Sequence, residues 1–206
     1  MLQPTLPLLV SNRLSRQQLR QVLLNYRKKQ NVLDIQLASY SIFQKTIFII
    51  EQYKAKNIAI YFSVKGEVQT QALIEYLWKE SIHVYLPIIR APENDLIFRP
   101  YDRDSKLIKN QFGIPELEDS RNTIEVNGEL DIIFVPLVAF DKNCERLGMG
   151  GGYYDRTLRS KREKTITVGL AYSWQEVSQI PAEGWDVPLD MIITDKKIFF
   201  REITTA

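Results

Sequence analysis

LDIIFVPLVAFDKNCERLGMGGGYYDRTL, residues 130–158, combines two features that constrain the interpretation of the whole chain. Its first seven residues are mostly apolar and predict a buried β-strand. Four of the nine glycines in the protein then fall within residues 148–152, here called the glycine-rich loop. In open α/β sheets, ligands bind outside the carboxyl ends of the strands. We therefore expect the glycine-rich loop at that edge of a sheet.

Two charged residues, Arg146 and Asp155, bracket the glycine-rich loop. Glycine lets the backbone approach a ligand closely, and successive backbone N–H groups can form a concavity that binds anions. Arg146 can donate two hydrogen bonds to a phosphate, and Asp155 can bind a hard cation. Tyr153 and Tyr154 offer rings and hydroxyl groups. The pattern favours a phosphate site, with a purely structural tight turn as the alternative. It is neither a P-loop nor a dinucleotide fingerprint, because the required spacings are absent.

The rest of the chain alternates helical and strand-like segments. Helical spacing of apolar residues predicts helices at residues 15–27, 32–54 and 68–78, and a short one near Tyr153. Ser15 and Gln18 have the spacing of a capping box at the start of the first helix. Short apolar runs predict strands at residues 57–62, 83–89, 95–101, 130–136, 165–172, 189–195 and 196–203. Several are apolar throughout, which is typical of a parallel sheet covered on both faces. We expect a single domain over residues 1–206, with a central, largely parallel sheet flanked by helices in a three-layer α/β/α arrangement.

Composition excludes several classes of protein. With 27 basic and 25 acidic residues, the chain does not resemble a dedicated nucleic-acid binder. Its one cysteine, Cys144, and one histidine, His83, leave no disulfide framework and argue against a zinc site or a catalytic triad. The N-terminus lacks the pattern of a signal peptide, and no apolar run approaches the length of a membrane span. We expect a cytoplasmic monomer that binds neither nucleic acid nor membrane.

Three arginines, Arg16, Arg20 and Arg27, share one face of the first predicted helix. This face lies about a quarter turn from the apolar face at 100° per residue. The apolar face consists of Leu19, Val22, Leu23 and Tyr26. The guanidinium groups should therefore run along the edge where the helix meets the core. Two interpretations remain open, a solvated charged face and a row of cations directed at an anionic ligand.

Residues 136–156 resemble the hallmark of the 5-formyltetrahydrofolate cyclo-ligase family, also called methenyltetrahydrofolate synthetases. That family carries a PLVAFD…RLGxGxGYYDR-like segment, and this chain is similar to it almost throughout. Further similar stretches follow the family's order along the chain: Arg16–Arg20 (RQQLR), residues 61–70 (YFSVKGEVQT), and Pro181 with Asp186 and Asp190. The resemblance therefore covers most of the chain.

The resemblance implies a reaction in which ATP and 5-formyltetrahydrofolate give ADP, phosphate and 5,10-methenyltetrahydrofolate. Transfer of the γ-phosphoryl group to the formyl oxygen would make a good leaving group, and N10 of the folate would then close the ring. Such phosphoryl transfer asks a protein mainly for positioning and charge stabilisation, so one cysteine and one histidine suffice. ATP would be the co-substrate and Mg²⁺ the cofactor. The alternatives are a non-catalytic relative that binds folate or nucleotide, and an RNA-associated protein that uses the basic first helix.

The resemblance also implies roles for individual residues. The residues expected to bind ATP are Arg16, Arg20, Arg146, Leu147, Gly148, Met149, Gly150, Gly151, Gly152, Tyr153 and Tyr154. The residues expected to bind the folate are Phe62, Glu67, Met149, Gly150, Gly151, Gly152 and Tyr153. Arg146 and Asp155 would be catalytic, and Asp155 and Asp186 would bind Mg²⁺. For Phe62 and Glu67 the alternatives are plain core packing and a turn carboxylate.

Three departures from the family pattern bear on these roles. Met149 stands where some relatives have an arginine, so Arg146 and the N-terminal arginines would have to supply that charge. Cys144 stands where the family usually has glycine, and we expect strain there if the turn needs a positive φ. Its thiol is also a candidate reactive group beside the site. The turn at residues 113–117 has its proline and glutamate displaced, so Glu116 receives no ligand role.

Three other charged residues receive no functional role from the sequence. Arg27 is interpreted as a solvated or structural charge, because the resemblance assigns it nothing. Asp141 and Asp190 are expected to be structural.

Overall fold

The computed structural model describes residues 14–109, 115–118 and 130–202. Its helices are α1 (Arg16–Arg27), α2 (Val32–Gln52), α3 (Gln71–Lys79) and α4 (Tyr153–Leu158). Its strands are β1 (Asn57–Ala59), β2 (His83–Arg90), β3 (Asp95–Pro100), β4 (Leu107–Lys109), β5 (Pro115–Leu117), β6 (Ile132–Pro136), β7 (Ala139–Phe140), β8 (Arg146–Leu147), β9 (Ile166–Leu170), β10 (Met191–Ile193) and β11 (Ile198–Phe200). Among the described residues, no helix is both long and apolar enough to cross a membrane.

Seven strands form one sheet in the order β11-β10-β9-β6-β1-β2-β3. The five central strands, from β10 to β2, are parallel to one another. Both edge strands are antiparallel to their neighbours. The expected central and largely parallel sheet is therefore confirmed. His83 stands at the start of β2 and is exposed, so it belongs to neither the core nor the site.

Strand β6 shows why the central runs are apolar throughout. Ile132 and Phe134 point into the core cluster on one face of the sheet, and Ile133 and Val135 point into the cluster on the other. Side chains alternate between the two faces of a strand, so a strand covered on both sides needs apolar residues at every position. This alternation places the core in two layers, above and below the sheet.

Helices cover both faces of the sheet, unequally. Helices α2 and α3 bury residues such as Ile50 and Ile74 against the first face. The second face is covered by Leu158 of α4 and by loop residues such as Leu137 and Leu189. The three-layer arrangement is confirmed, but the second outer layer is mostly loop.

Two details of the elements differ from the sequence predictions. Helix α3 begins three residues later than predicted, because Val68 is buried in the preceding loop and the Thr70 hydroxyl donates to the Tyr61 carbonyl at 2.8 Å. Strands β4 and β5 pair with each other in a stretch where the sequence predicted no strand. Part of the predicted turn at residues 113–117 lies outside the described residues.

Helix α1 begins with the predicted capping box. The Gln18 amide donates to the Ser15 hydroxyl at 3.3 Å, and the Ser15 amide donates to the Gln18 side chain at 2.9 Å. Leu19 and Leu23 pack against Val138, Leu147 and Ile180, around the hairpin formed by β7 and β8. This packing places the arginine face of α1 beside the segment that carries the glycine-rich loop.

Cys144 has the strained backbone that the sequence predicts, but it is not the reactive thiol considered there. Its φ is +61°, and its side chain is fully buried. Burial, with a smaller contribution from the Asp141 carboxylate, raises the pKa of its thiol to about 12. Because the thiolate is the nucleophilic form, this thiol is inert in the folded protein.

Native Cys144 should resist alkylation. At pH 8 we expect reaction with iodoacetamide to be at least about 1000-fold slower in the folded protein than in urea, because both the thiolate fraction and access are reduced. Mass spectrometry of the modified chain measures both rates. Rapid labelling of the folded protein would contradict the burial of this side chain.

Candidate active site

The glycine-rich loop leaves the sheet on a short hairpin. Strand β6 ends at Pro136, β7 and β8 pair with Ala139 opposite Leu147, and the loop follows β8 directly. The loop therefore lies beyond the carboxyl end of β6, where the sequence places it. Gly150 and Gly152 have φ values of +103° and +69°, which only glycine adopts readily. The sharp bend at Gly152 leads straight into α4.

Arg146 and Asp155, which bracket the loop in sequence, contact each other in space. Arg146 Nη2 donates to Asp155 Oδ1 at 2.7 Å, and only 4% of the Arg146 side chain is exposed. The Val187 amide also donates to Oδ1, at 3.3 Å. Among the described residues, Asp155 Oδ2 accepts no hydrogen bond and Arg146 Nε has no partner. The pair thus leaves Asp155 Oδ2 and Arg146 Nε without hydrogen bonds from or to the described residues.

Arg16 and Asp186 form a second ion pair. Both terminal nitrogens of Arg16 donate to the carboxylate of Asp186, Nη2 at 2.9 Å, and Nη1 also donates to the Pro181 carbonyl at 2.9 Å. Burial alone would raise the pKa of Asp186, but its hydrogen bonds from Arg16 and from the Glu183 amide hold that pKa below its usual value. Asp186 is therefore a carboxylate with both oxygens engaged, and its ion-pair partner is Arg16.

Arg20 joins α1 to the glycine-rich loop. Its Nε donates to the Gly148 carbonyl at 2.8 Å, and its Cζ lies 3.5 Å from where a Cβ atom on Gly150 would stand. Burial and the charge of Arg16 lower the pKa of Arg20, which shows two cations close together. Such a cluster of positive charge is suited to an anion.

Phe62 and Glu67 lie in the loop that follows β1. Glu67 Oε2 accepts a hydrogen bond from the Val64 amide at 3.0 Å, and the Tyr172 hydroxyl donates to the Glu67 carbonyl at 3.0 Å. Burial raises the pKa of the Glu67 carboxyl, and the Val64 amide and the Arg27 charge partly offset that rise. Phe62 is half-buried and packs edge-to-face on Tyr101, with ring centroids 5.4 Å apart.

Tyr154 in the first turn of α4, directly after the glycine-rich loop, is influenced by the charge of Glu67. Burial raises the pKa of the Tyr154 phenol, and the charge of Glu67 raises it further, so the two groups are electrostatic neighbours. Tyr153 lies beneath the Arg156 guanidinium, 5.4 Å from ring centroid to Cζ. Met149 is 54% exposed and projects from the loop. The glycine-rich loop thus contacts Arg20 of α1, and the helix that follows it carries a phenol influenced by the carboxylate after β1.

Asp141 and Asp190 are structural in their contacts. Asp141 accepts hydrogen bonds from the amides of Asn143 and Ile180, at 2.9 Å each. Asp190 accepts hydrogen bonds from the amide and hydroxyl of Thr167. Both carboxylates tie loops to the sheet away from the two ion pairs. Arg27, for which the sequence leaves a solvated or a structural charge, is 95% buried; its 5% exposure excludes the solvated alternative.

The carboxylates suit a magnesium ion that shares its coordination with a ligand. No group of three or more histidine, cysteine, aspartate or glutamate side chains among the described residues could hold a metal by itself. Mg²⁺ usually binds one or two protein carboxylates together with substrate phosphates and water. Asp155, with Oδ2 unused, fits such a site as it stands, whereas Asp186 fits only if Arg16 leaves it.

Comparisons with known proteins agree in pointing to one family. A sequence model described as the 5-formyltetrahydrofolate cyclo-ligase family matches residues 12–195. A 5-formyltetrahydrofolate cyclo-ligase of Haemophilus influenzae is 47% identical over 182 residues, which cover 86% of this chain and 96% of the relative. The NMR structure of 5,10-methenyltetrahydrofolate synthetase from Aquifex aeolicus superposes with a TM-score of 0.79 at 30% identity, covering 93% of this chain and 95% of that one. The synthetase structure from Mycoplasma pneumoniae gives a TM-score of 0.72 at 30% identity, covering 88% and 99%.

Proposed function

This chain belongs to the 5-formyltetrahydrofolate cyclo-ligase family, and from that premise we propose which of its residues bind ATP and which bind a folate. The enzyme is a ligase that uses ATP to convert 5-formyltetrahydrofolate into 5,10-methenyltetrahydrofolate, with release of ADP and phosphate. The observation that carries the residue assignment is the pair of arginine–carboxylate contacts beside the glycine-rich loop.

The chemistry needs no nucleophile from the protein. The formyl oxygen attacks the γ-phosphorus of ATP, and ADP leaves. N10 of the folate then attacks the activated formyl carbon and loses its proton, and the carbon–oxygen bond breaks to release phosphate. Charge builds up on phosphoryl oxygens in the first step, so preorganised cations accelerate it. Arg146 is the proposed catalytic cation, because it is buried beneath the loop and its Nε is unused.

Arg16, Arg20 and residues 146–154 are the proposed ATP site. Arg16 and Arg146 are each neutralised by a carboxylate. A triphosphate with its metal offers phosphate oxygens to the arginines and a cation to the carboxylates. Both ion pairs can therefore exchange partners while every buried charge stays compensated. An uncompensated buried charge would destabilise the protein. The exposed Met149 adds no charge, so Arg16 and Arg20 from α1 supply what the loop lacks.

Mg²⁺ is the proposed cofactor; Asp155 would hold it, as would Asp186 once Arg16 had turned to the phosphates. When bound, the ion neutralises phosphate charge during transfer. The backbone amide of Val187 donates a hydrogen bond to Asp155. This bond orients the carboxylate and does not depend on ATP.

The folate is proposed to bind between the loop after β1 and the far end of the glycine-rich loop. Glu67 accepts hydrogen bonds from the donor edge of the pterin, which a carboxylate matches. Phe62 packs against the ring system, and residues 149–153 face it from the ATP side. All of these groups come from one chain, so we expect a monomer that acts on small molecules in the cytoplasm, without nucleic acid or membrane.

An absorbance assay tests the proposed function. The purified protein is mixed with 5-formyltetrahydrofolate, ATP and Mg²⁺, and the near-ultraviolet absorbance of the methenyl product is followed. We expect a rise that depends on ATP. Binding of folate or ATP without any rise would favour the non-catalytic relative and overturn the proposal.

Arg20→Ala should weaken ATP more than folate. Its guanidinium contacts the Gly148 carbonyl on the phosphate side, so we expect the KM for ATP to rise about tenfold and the KM for 5-formyltetrahydrofolate to change less than about twofold. Arg162→Ala removes an exposed arginine outside the site and serves as the matched control. Equal effects of Arg20→Ala on both substrates would argue against a phosphate role.

A further inference from the structure

A buried guanidinium group without a proposed role lies at the end of α1. Arg27 is 5% exposed, and its Nη2 donates to the Leu137 carbonyl at 2.7 Å. Its Nε is buried and has no hydrogen-bond partner among the described residues. No described carboxylate lies within ion-pair distance of it. A buried cation without a contacting carboxylate costs stability, so its position points to a use.

The turn that carries Glu67 rests on the stem of Arg27. Gly66 has a φ of +78°, and a Cβ atom there would lie 3.1 Å from Cγ and 3.4 Å from Cδ of Arg27. The charges of Arg27 and Glu67 also interact, because each moves the pKa of the other in the direction of its charged form. Arg27 thus packs against the turn and is the buried cation that interacts with the Glu67 carboxylate.

We infer that Arg27 is a positioning residue for folate recognition: anchored on the Leu137 carbonyl, it supports the Gly66–Glu67 turn and supplies the counter-charge of the Glu67 carboxylate. The inference rests on the proposed function, since it takes Glu67 as the group that binds the pterin. Leu137 directly follows β6 and begins the segment that leads to the glycine-rich loop. Arg27 therefore also fixes the Gly66–Glu67 turn relative to the segment that carries the glycine-rich loop.

The surroundings of Glu67 make Arg27 the main electrostatic partner of its carboxylate. The charged and titratable groups that influence or are influenced by Glu67 are Arg27 of α1, Lys65 of the same turn, Tyr61 after β1, Tyr154 of α4 and Tyr172 after β9. Burial raises the pKa of all three phenols, so they are neutral near pH 7. Lys65 is exposed, and solvent weakens its influence. Removing Arg27 should therefore raise the pKa of Glu67.

Arg27→Gln tests the inference in the cyclisation assay. We expect the KM for 5-formyltetrahydrofolate to rise about tenfold with the KM for ATP changed less than about twofold. The acid limb of kcat/KM for the folate should move up by about one pH unit, because a carboxyl that loses a nearby cation protonates at higher pH. Arg27→Lys keeps the charge and should restore the position of the limb. A merely structural role would lower the active fraction and leave the limb in place.

Two further measurements keep the outcome decisive. In a Glu67→Gln background, Arg27→Gln should have no additional effect on the folate KM, since its effect passes through that carboxylate. If Arg27→Gln does not fold, Gly66→Ala strains the same turn from above and should raise the folate KM alone. Equal changes for both substrates, an unmoved limb or full additivity with Glu67→Gln would each overturn the inference. An inactive wild type would overturn the proposed function instead.

Discussion

Asp155→Asn is expected to lower kcat by at least about 100-fold. Loss of one preorganised group that stabilises the transition state typically has an effect of this size. Asparagine has the same size, and its amide oxygen can still accept the hydrogen bonds from Arg146 and the Val187 amide. The variant loses the negative charge and has an NH₂ group in place of Oδ2, so it lacks the proposed carboxylate ligand of Mg²⁺. Kinetics over a range of Mg²⁺ concentrations should show an increased requirement for the metal.

Circular dichroism and thermal unfolding check that the Asp155→Asn variant is folded. Asp104→Asn is the matched control, because Asp104 is exposed and lies in the turn between β3 and β4. The control should keep wild-type kinetics. If Asp155→Asn were also fully active, the assignment of Asp155 to the metal would be wrong.

Arg146→Gln should lose both activity and stability. We expect kcat to fall by about 100-fold to 1000-fold, because the buried cation nearest the loop no longer balances phosphoryl charge. The free energy of unfolding should fall by about 3–5 kcal/mol, since breaking a buried ion pair leaves the other charge uncompensated. Steady-state kinetics and urea unfolding measure the two effects.

The double variant Arg146→Gln, Asp155→Asn separates these two effects. It no longer contains the orphaned carboxylate, so part of the lost stability should return while activity stays low. Arg146→Lys should keep the charge but not the planar contacts, and should recover activity only in part. Wild-type kcat in Arg146→Gln would contradict the proposed catalytic role.

Local patterns in the sequence were sufficient for the elements and for the centre of the site. The apolar run before Pro136 predicted β6, and the Ser15–Gln18 spacing predicted the start of α1. The four glycines and their flanking charges predicted the loop and its place at the rim. These features depend on contacts between residues close in sequence, whose geometry the backbone itself limits.

The partners of the charged groups depended on the tertiary structure. Arg16 pairs with Asp186 across 170 positions, Arg20 reaches the Gly148 carbonyl across 128, and Arg27 reaches the Leu137 carbonyl across 110. No periodicity encodes such contacts, because they exist only once α1 has packed beside the hairpin of β7 and β8. Burial also changes what a group can do. It makes the thiol of Cys144 inert, and it excludes the solvated alternative for Arg27, which packs against the Gly66–Glu67 turn. Composition determined which chemistries were available to this chain, whereas packing decided which charges face one another, since solvation and Coulomb energy depend on position in space and not on position in sequence.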